Sequence, residues 1–161
     1  DIVFMVVGTG AKRDELKARQ EEKQLDNFRL VDKVPKETVP YLLALSDVSV
    51  VHLRDNPLFE TVIPSKIFEA MITRTPIVLG VRGESRQIIE EAGAGIPVPP
   101  EDPDALSEAV CRLKENPSLR EEMAENAHEH VQAYYDRRTL ARKYAALLCG
   151  VGTGTSEPAL A

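Results

Sequence analysis

Five short runs rich in Val and Ile, none longer than six residues, punctuate the chain and leave room for helices between them. They cover residues 2–7, 28–31, 48–53, 77–79 and 96–98. Little polar alternation interrupts them, which is the pattern of strands buried on both faces of a sheet. Residues 12–24, 37–46, 65–73 and 84–92 fill the intervals with helical spacing. Strand–helix alternation of this kind implies parallel strands joined by right-handed crossovers. The expected fold is α/β, a Rossmann-like doubly wound parallel sheet, with helices appended from Asp102 onward.

Several helix ends are written locally. Asp102-Pro103 reads as an N-cap followed by proline at the first helical position, ahead of the stripe Leu106, Ala109, Val110 and Leu113. Ser118 to Glu121 reads as a capping box, and Leu119, Met123, Ala127 and Val131 then recur every four residues to pack on the sheet. A last helix over 137–149 carries Leu140, Tyr144, Leu147 and Leu148, and Gly150 reads as its stop. The 161 residues suit one domain over 1–150, with a disordered tail over 151–161.

Charge and composition remove several function classes. A formal charge of −6, with four Phe, four Tyr and no Trp, lacks both the basic patch and the stacking platform of a nucleic-acid binder. No apolar run approaches the ~20 residues that span a bilayer. The opening Asp-Ile-Val-Phe reads as a strand rather than a signal peptide. Cys111 and Cys149 lie too far apart in sequence to suggest a metal pair, and a disulfide would need the fold to juxtapose them; a reducing compartment is expected.

Two motifs read first as architecture. Gly8-Thr9-Gly10 follows a strand and opens a helix, and Asp32 ends the next strand, which is the setting of a dinucleotide fingerprint. Arg13 stands where the third glycine belongs, so a tight strand-to-helix turn is the better reading. His128 and His130 are two apart on a helix and point to different sides, while His52 ends a strand alone. No metal site is legible, and the charged segment 12–24 reads as a solvated face.

The chemically dense stretch is Leu53 to Met71. A strand ends there, a loop crowded with Arg54, Asp55, Asn56 and Glu60 follows, and a helix starts at Ser65. Ser65 is expected to cap that helix and leave its amides and positive dipole end facing the loop, a ready phosphate site. Glu69, about one turn in, is able to accept hydrogen bonds from a sugar diol.

Pro64-Ser65-Lys66-Ile67-Phe68-Glu69-Ala70-Met71 is followed by Thr75-Pro76-Ile77-Val78, then Glu91-Ala92-Gly93-Ala94-Gly95, then Pro99-Pro100-Glu101-Asp102-Pro103. This series resembles the C-terminal, donor-binding domain of family-four glycosyltransferases, the retaining group of GT-B fold. Within it the likeness is to bacterial enzymes that transfer amino sugars during surface polysaccharide assembly. It extends to about Gly150.

The resemblance implies a nucleotide-diphosphate sugar, UDP-linked, as donor and no further cofactor. In that family two glutamates with seven residues between them face the donor. The second, which holds the ribose, falls on Glu69; the first, which meets the donor sugar, falls on Thr61, with Glu60 one place away. Ser65 and Lys66 fall at the phosphates, Ile63 and Pro64 complete the donor-facing stretch, and Val34 falls where the backbone meets the nucleobase. No catalytic residue is assigned.

The implied partner is a glycan or lipid-linked acceptor held by a separate N-terminal domain. The implied location is the cytoplasm, with peripheral association at the inner face of the membrane. Family members open this domain with a further strand and a basic helix that grips the diphosphate, and the present sequence aligns from the second strand. Residues 2–7 and 48–53 are therefore expected either to close together or to take another segment between them. The isolated stretch is expected to bind UDP weakly or undetectably and to transfer no sugar. The rivals are a nicotinamide-dependent oxidoreductase domain using Gly8, Gly10 and Asp32, and a non-catalytic α/β interaction module.

Overall fold

The computed structural model describes residues 2–152. Five strands alternate with helices: β1 (Phe4–Val7), α1 (Arg13–Glu22), β2 (Phe28–Val31), α2 (Val39–Ala44), β3 (Ser49–His52), α3 (Ser65–Ile72), β4 (Ile77–Gly80), α4 (Glu84–Ala92) and β5 (Gly95–Pro97). Short 3-10 turns, Lys36–Thr38 and Pro57–Glu60, precede α2 and α3, and the chain finishes with α5 (Pro103–Glu115), α6 (Pro117–Tyr135) and α7 (Arg137–Gly152). All strand pairs are parallel, and the mixed α/β architecture is Rossmann-like.

The strands divide into two sheets. β1 pairs with β2, and β3, β4 and β5 form the second sheet in that order. No ladder joins β1 to β3, and no further strand of the described residues lies between them, so the expected closing of that gap does not occur. The two sheets are held instead through a shared apolar cluster. Phe4 and Val48 both pack against Val78, Ala109, Val110 and Leu113, a cluster centred on α5.

Burial is confined to one of these sheets. β4 is buried along its whole length, and its side chains alternate: Ile77 and Leu79 enter the cluster beneath α3, α4 and α6, while Val78 enters the one beneath α5. Among the described residues, none before Val51 is buried. The expectation of strands covered on both faces therefore fails for β1 and β2. Met5 and Val6 remain exposed because α1 offers β1 no apolar face and buries no residue of its own.

The appended helices follow the sequence closely, with two corrections. Asp102 caps α5 through its side chain, which accepts the Ala105 N–H at 2.9 Å. Ala127 and Val131 of α6 are buried against the α3 side, and Leu119 and Met123 pack half-buried against the α5 side. α6, however, starts at Pro117 with Asn116 at its cap and no side-chain cap bond, so Ser118 forms no capping box. Proline at the first turn needs no N–H partner, which makes a serine cap one residue later redundant. α7 does not stop at Gly150 but continues to Gly152, because one glycine adds a modest cost that an established helix absorbs. The expected disordered tail otherwise lies outside the described residues.

A candidate nucleotide-sugar site at the ends of the strands

In a parallel sheet the loops after the strands gather on one side, and ligands bind there. The segment between β3 and α3 lies on that side. Asn56 Oδ1 accepts the Leu58 N–H at 2.9 Å and starts the turn Pro57–Glu60; Thr61 Oγ1 donates back to the Leu58 carbonyl at 3.4 Å. Ile63, half-buried, then packs against the core beneath α3 and anchors the segment.

α3 owes its position to a two-sided sequence. Ile67, Ala70 and Met71 are buried, and Lys66 and Glu69 lie on the opposite, exposed face. Ser65 is the first helical residue and not the cap. Pro64 occupies the cap in an extended conformation, with no side-chain cap bond, since its fixed φ holds the chain extended where it enters the helix. The Ile67 N–H is taken by the Pro64 carbonyl at 3.1 Å. The amides of Ser65 and Lys66 precede the first intrahelical donor, so the anion-binding capacity of this helix end resides in them. At its other end Thr73 donates to the Glu69 carbonyl at 2.9 Å, and buried Thr75 donates to Leu43 at 2.9 Å, tying α3 to α2.

The β4–α4 turn supports the segment from beneath. Gly83 has φ +71°, and a β-carbon there would overlap the Glu60 carbonyl, so only glycine lets the two backbones meet. Fully buried Ser85 donates to the Val62 carbonyl at 3.0 Å. The Arg82 guanidinium holds the Asp55 carboxylate with two bonds of 3.1 Å. This hydrogen bond keeps the Asp55 carboxyl below the ordinary carboxylate range and raises Arg82 in return.

Glu60, Thr61, Ile63, Pro64, Ser65, Lys66 and Glu69 follow one another along the segment from β3 into α3, Ile63 and Pro64 half-buried and the others exposed. Val34 stands apart, after β2 and its two-stranded sheet. Sequence reasoning missed Arg82, Gly83 and Ser85 as supports. The only signal was a glycine between a buried strand and a helix.

The feature that speaks against the dinucleotide alternative is Arg13. Its guanidinium lies over the turn, donating to the Gly8 carbonyl at 2.7 Å, the Val31 carbonyl at 3.1 Å and the Asp32 carboxylate at 2.7 Å. The acid that would hold a ribose is already paired with Arg13, while a β-carbon at Gly8 or Gly10 would meet nothing within 4 Å. His128 meets the Ile72 carbonyl and ties α6 to α3, and the His130 ring lies tilted against Tyr134 of the same helix. Cys111 and Cys149 form no disulfide. Among the described residues no cluster of His, Cys, Asp and Glu is arranged to hold a metal ion. No helix among them is long and apolar enough to cross a membrane.

Comparison with known proteins decides between the remaining readings. Residues 1–130 match the family model described as "Glycosyl transferases group 1". The chain belongs to that family. This group 1 glycosyltransferase chain is 29% identical over 153 residues to alpha-D-kanosaminyltransferase of Streptomyces kanamyceticus, covering 94% of this chain and 38% of that protein. It is 33% identical over 115 residues to the probable glycosyltransferase WbjE of Pseudomonas aeruginosa, covering 68% of this chain and 28% of that one. It therefore spans well under half the length of either relative. Among solved structures, Anabaena HepE in complex with UDP superposes with a TM-score of 0.77 at 18% identity, over 92% of this chain and 41% of that one. That likeness supports the fold.

Proposed function

We propose that this chain forms the donor-binding part of a retaining glycosyltransferase that takes a UDP-linked sugar and transfers it to a hydroxyl of a glycan or lipid-linked acceptor. The observation that carries the reading is the exposed Glu69, one turn inside a helix whose N-terminal amides open toward the ends of the strands. A carboxylate accepts two hydroxyl hydrogens at once, which suits the vicinal diol of a ribose. The Ser65 and Lys66 amides, the dipole and the Lys66 ammonium together suit the phosphates. Glu60 and Thr61 face the sugar, and the backbone at Val34 meets the base.

In the transfer, the bond between the anomeric carbon and the β-phosphate oxygen breaks and its electron pair leaves with UDP. The acceptor oxygen forms the new bond to the anomeric carbon and gives up its proton to the departing diphosphate. The charge that develops on the diphosphate is what the helix end stabilises. Family membership supports this chemistry, and a UDP complex of HepE, a protein of like fold, agrees with the donor class. The protein would work in the cytoplasm, associating peripherally with the inner face of the membrane where a lipid-linked acceptor resides.

The test is titration with UDP followed by backbone NMR at millimolar ligand. The amides of Ser65, Lys66 and Glu69 should shift, and Glu69→Ala should weaken the response about tenfold or more, the effect of losing a hydrogen bond to a charged group. An unchanged response in Glu69→Ala would overturn the ribose assignment.

A further inference from the structure

His52 belongs to none of the roles above, yet it begins a chain of contacts that ends at Glu60. It is the last residue of β3, and its ladder partner across β4 is Gly80. A β-carbon at Gly80 would run into the His52 ring, so the glycine lets the imidazole lie across the strand. There Nε2 accepts the Glu101 N–H at 2.8 Å, which places the imidazole proton on Nδ1. Glu101 sits at φ +58°, a left-handed conformation that a non-glycine residue keeps only when its surroundings hold it. Its carboxylate in turn accepts the Asp55 N–H at 3.0 Å, and Asp55 is gripped by Arg82. Arg82 adjoins Gly83, on which the Glu60 carbonyl rests.

We propose that His52 is a positioning residue: its neutral imidazole fixes the turn at Glu101, and through Asp55 and Arg82 that turn seats Glu60 for the donor sugar. The proposal rests on the reading of Glu60 as sugar-facing, but its structural half stands on its own contacts. The strap has a direction. Loss of His52 frees Glu101 and then Asp55, whereas loss of the Glu101 carboxylate frees Asp55 alone. The sugar end of the ligand depends on the strap, and the UDP end, held at α3, does not.

Amide hydrogen exchange of the ligand-free protein decides it. His52→Phe should speed exchange at the Glu101 and Asp55 amides about tenfold, the weight of one hydrogen bond. The core amides of Val78 and Leu79 should stay protected. His52→Gln, whose side-chain oxygen accepts from the same N–H, should restore most of the protection, and Glu101→Ala should release the Asp55 amide only. In titrations, His52→Phe should weaken UDP-glucose severalfold and leave UDP unchanged. Unchanged exchange at both amides in His52→Phe would overturn the proposal, as would loss of protection spread evenly to Val78 and Leu79 without rescue by Gln. A wild-type protein that responds to neither UDP nor UDP-glucose would sink the donor reading, and with it the sugar-seating half of the proposal. The exchange pattern would still decide the strap.

Discussion

The β1–α1–β2 unit and the β3–β4–β5 sheet are built from the same kind of apolar run, and only the second is a core. Ile77, Val78 and Leu79 are completely buried, while Met5 and Val6 in β1 are 44% and 41% exposed. The difference lies in the cover. α3 and α4 bring Ile67, Met71, Ile88 and Ile89 onto one face of β4, and α5 brings Val110 and Leu113 onto the other. α1 brings nothing comparable. Apolar sequence makes a strand, and burial then depends on what the neighbouring helices supply. The candidate site lies on the covered side of this division, where a rigid sheet can hold a loop to a fixed geometry.

The largest expected effect breaks the comparison if it fails. Leu79→Ala should cost about 2–5 kcal/mol by leaving a cavity in close packing, whereas Val6→Ala should cost about 1 kcal/mol or less. Urea denaturation of the two variants measures both, and equal losses would mean that β1 is packed as closely as β4. Next in size is Gly83→Ala, expected to cost about 1–3 kcal/mol through its left-handed φ and the overlap with Glu60. The same variant should move the amide resonances of residues 58–62 and leave β1 undisturbed. Native-state exchange sharpens the contrast. The ladder amides of β1 and β2 should exchange at least about tenfold faster than those of β4, because opening them exposes little buried surface.

Smallest is the pH response of the Asp55–Arg82 tie. The hydrogen bond from Arg82 depresses the Asp55 carboxyl in the folded state, so the contribution is complete above the ordinary carboxylate range and is lost as pH falls through the depressed value. Acid titration of wild type against Asp55→Asn should show that component absent in the variant. Being exposed, the pair is expected to add little, so a large difference would contradict the account.

What the sequence disclosed was mostly local. The cap at Asp102, the helix over Glu84–Ala92 and the two-faced pattern of α3 each depend on residues a few places apart. Ser65 and Ser118 misled as caps because a proline immediately before each already occupied the cap or the first turn. Burial of β1 was not legible, since it depends on the helices that cover it. The contact between His52 and Glu101 joins residues 49 positions apart, and no local pattern announces it. The Glu69 segment was found through its motif, while the turn that supports it was not, because Gly83 acquires its meaning only against the Glu60 carbonyl.

On the function proposed above, the loop after β3 and the first turn of α3 form the nucleotide-sugar surface. Amide exchange of the wild-type protein, with and without millimolar UDP, tests it most directly. Protection gathered at residues 53–69, with the β1–α1 turn at Gly8 to Arg13 unaffected, is the predicted result. Protection centred on that turn, or no change anywhere in 53–69, would contradict the account.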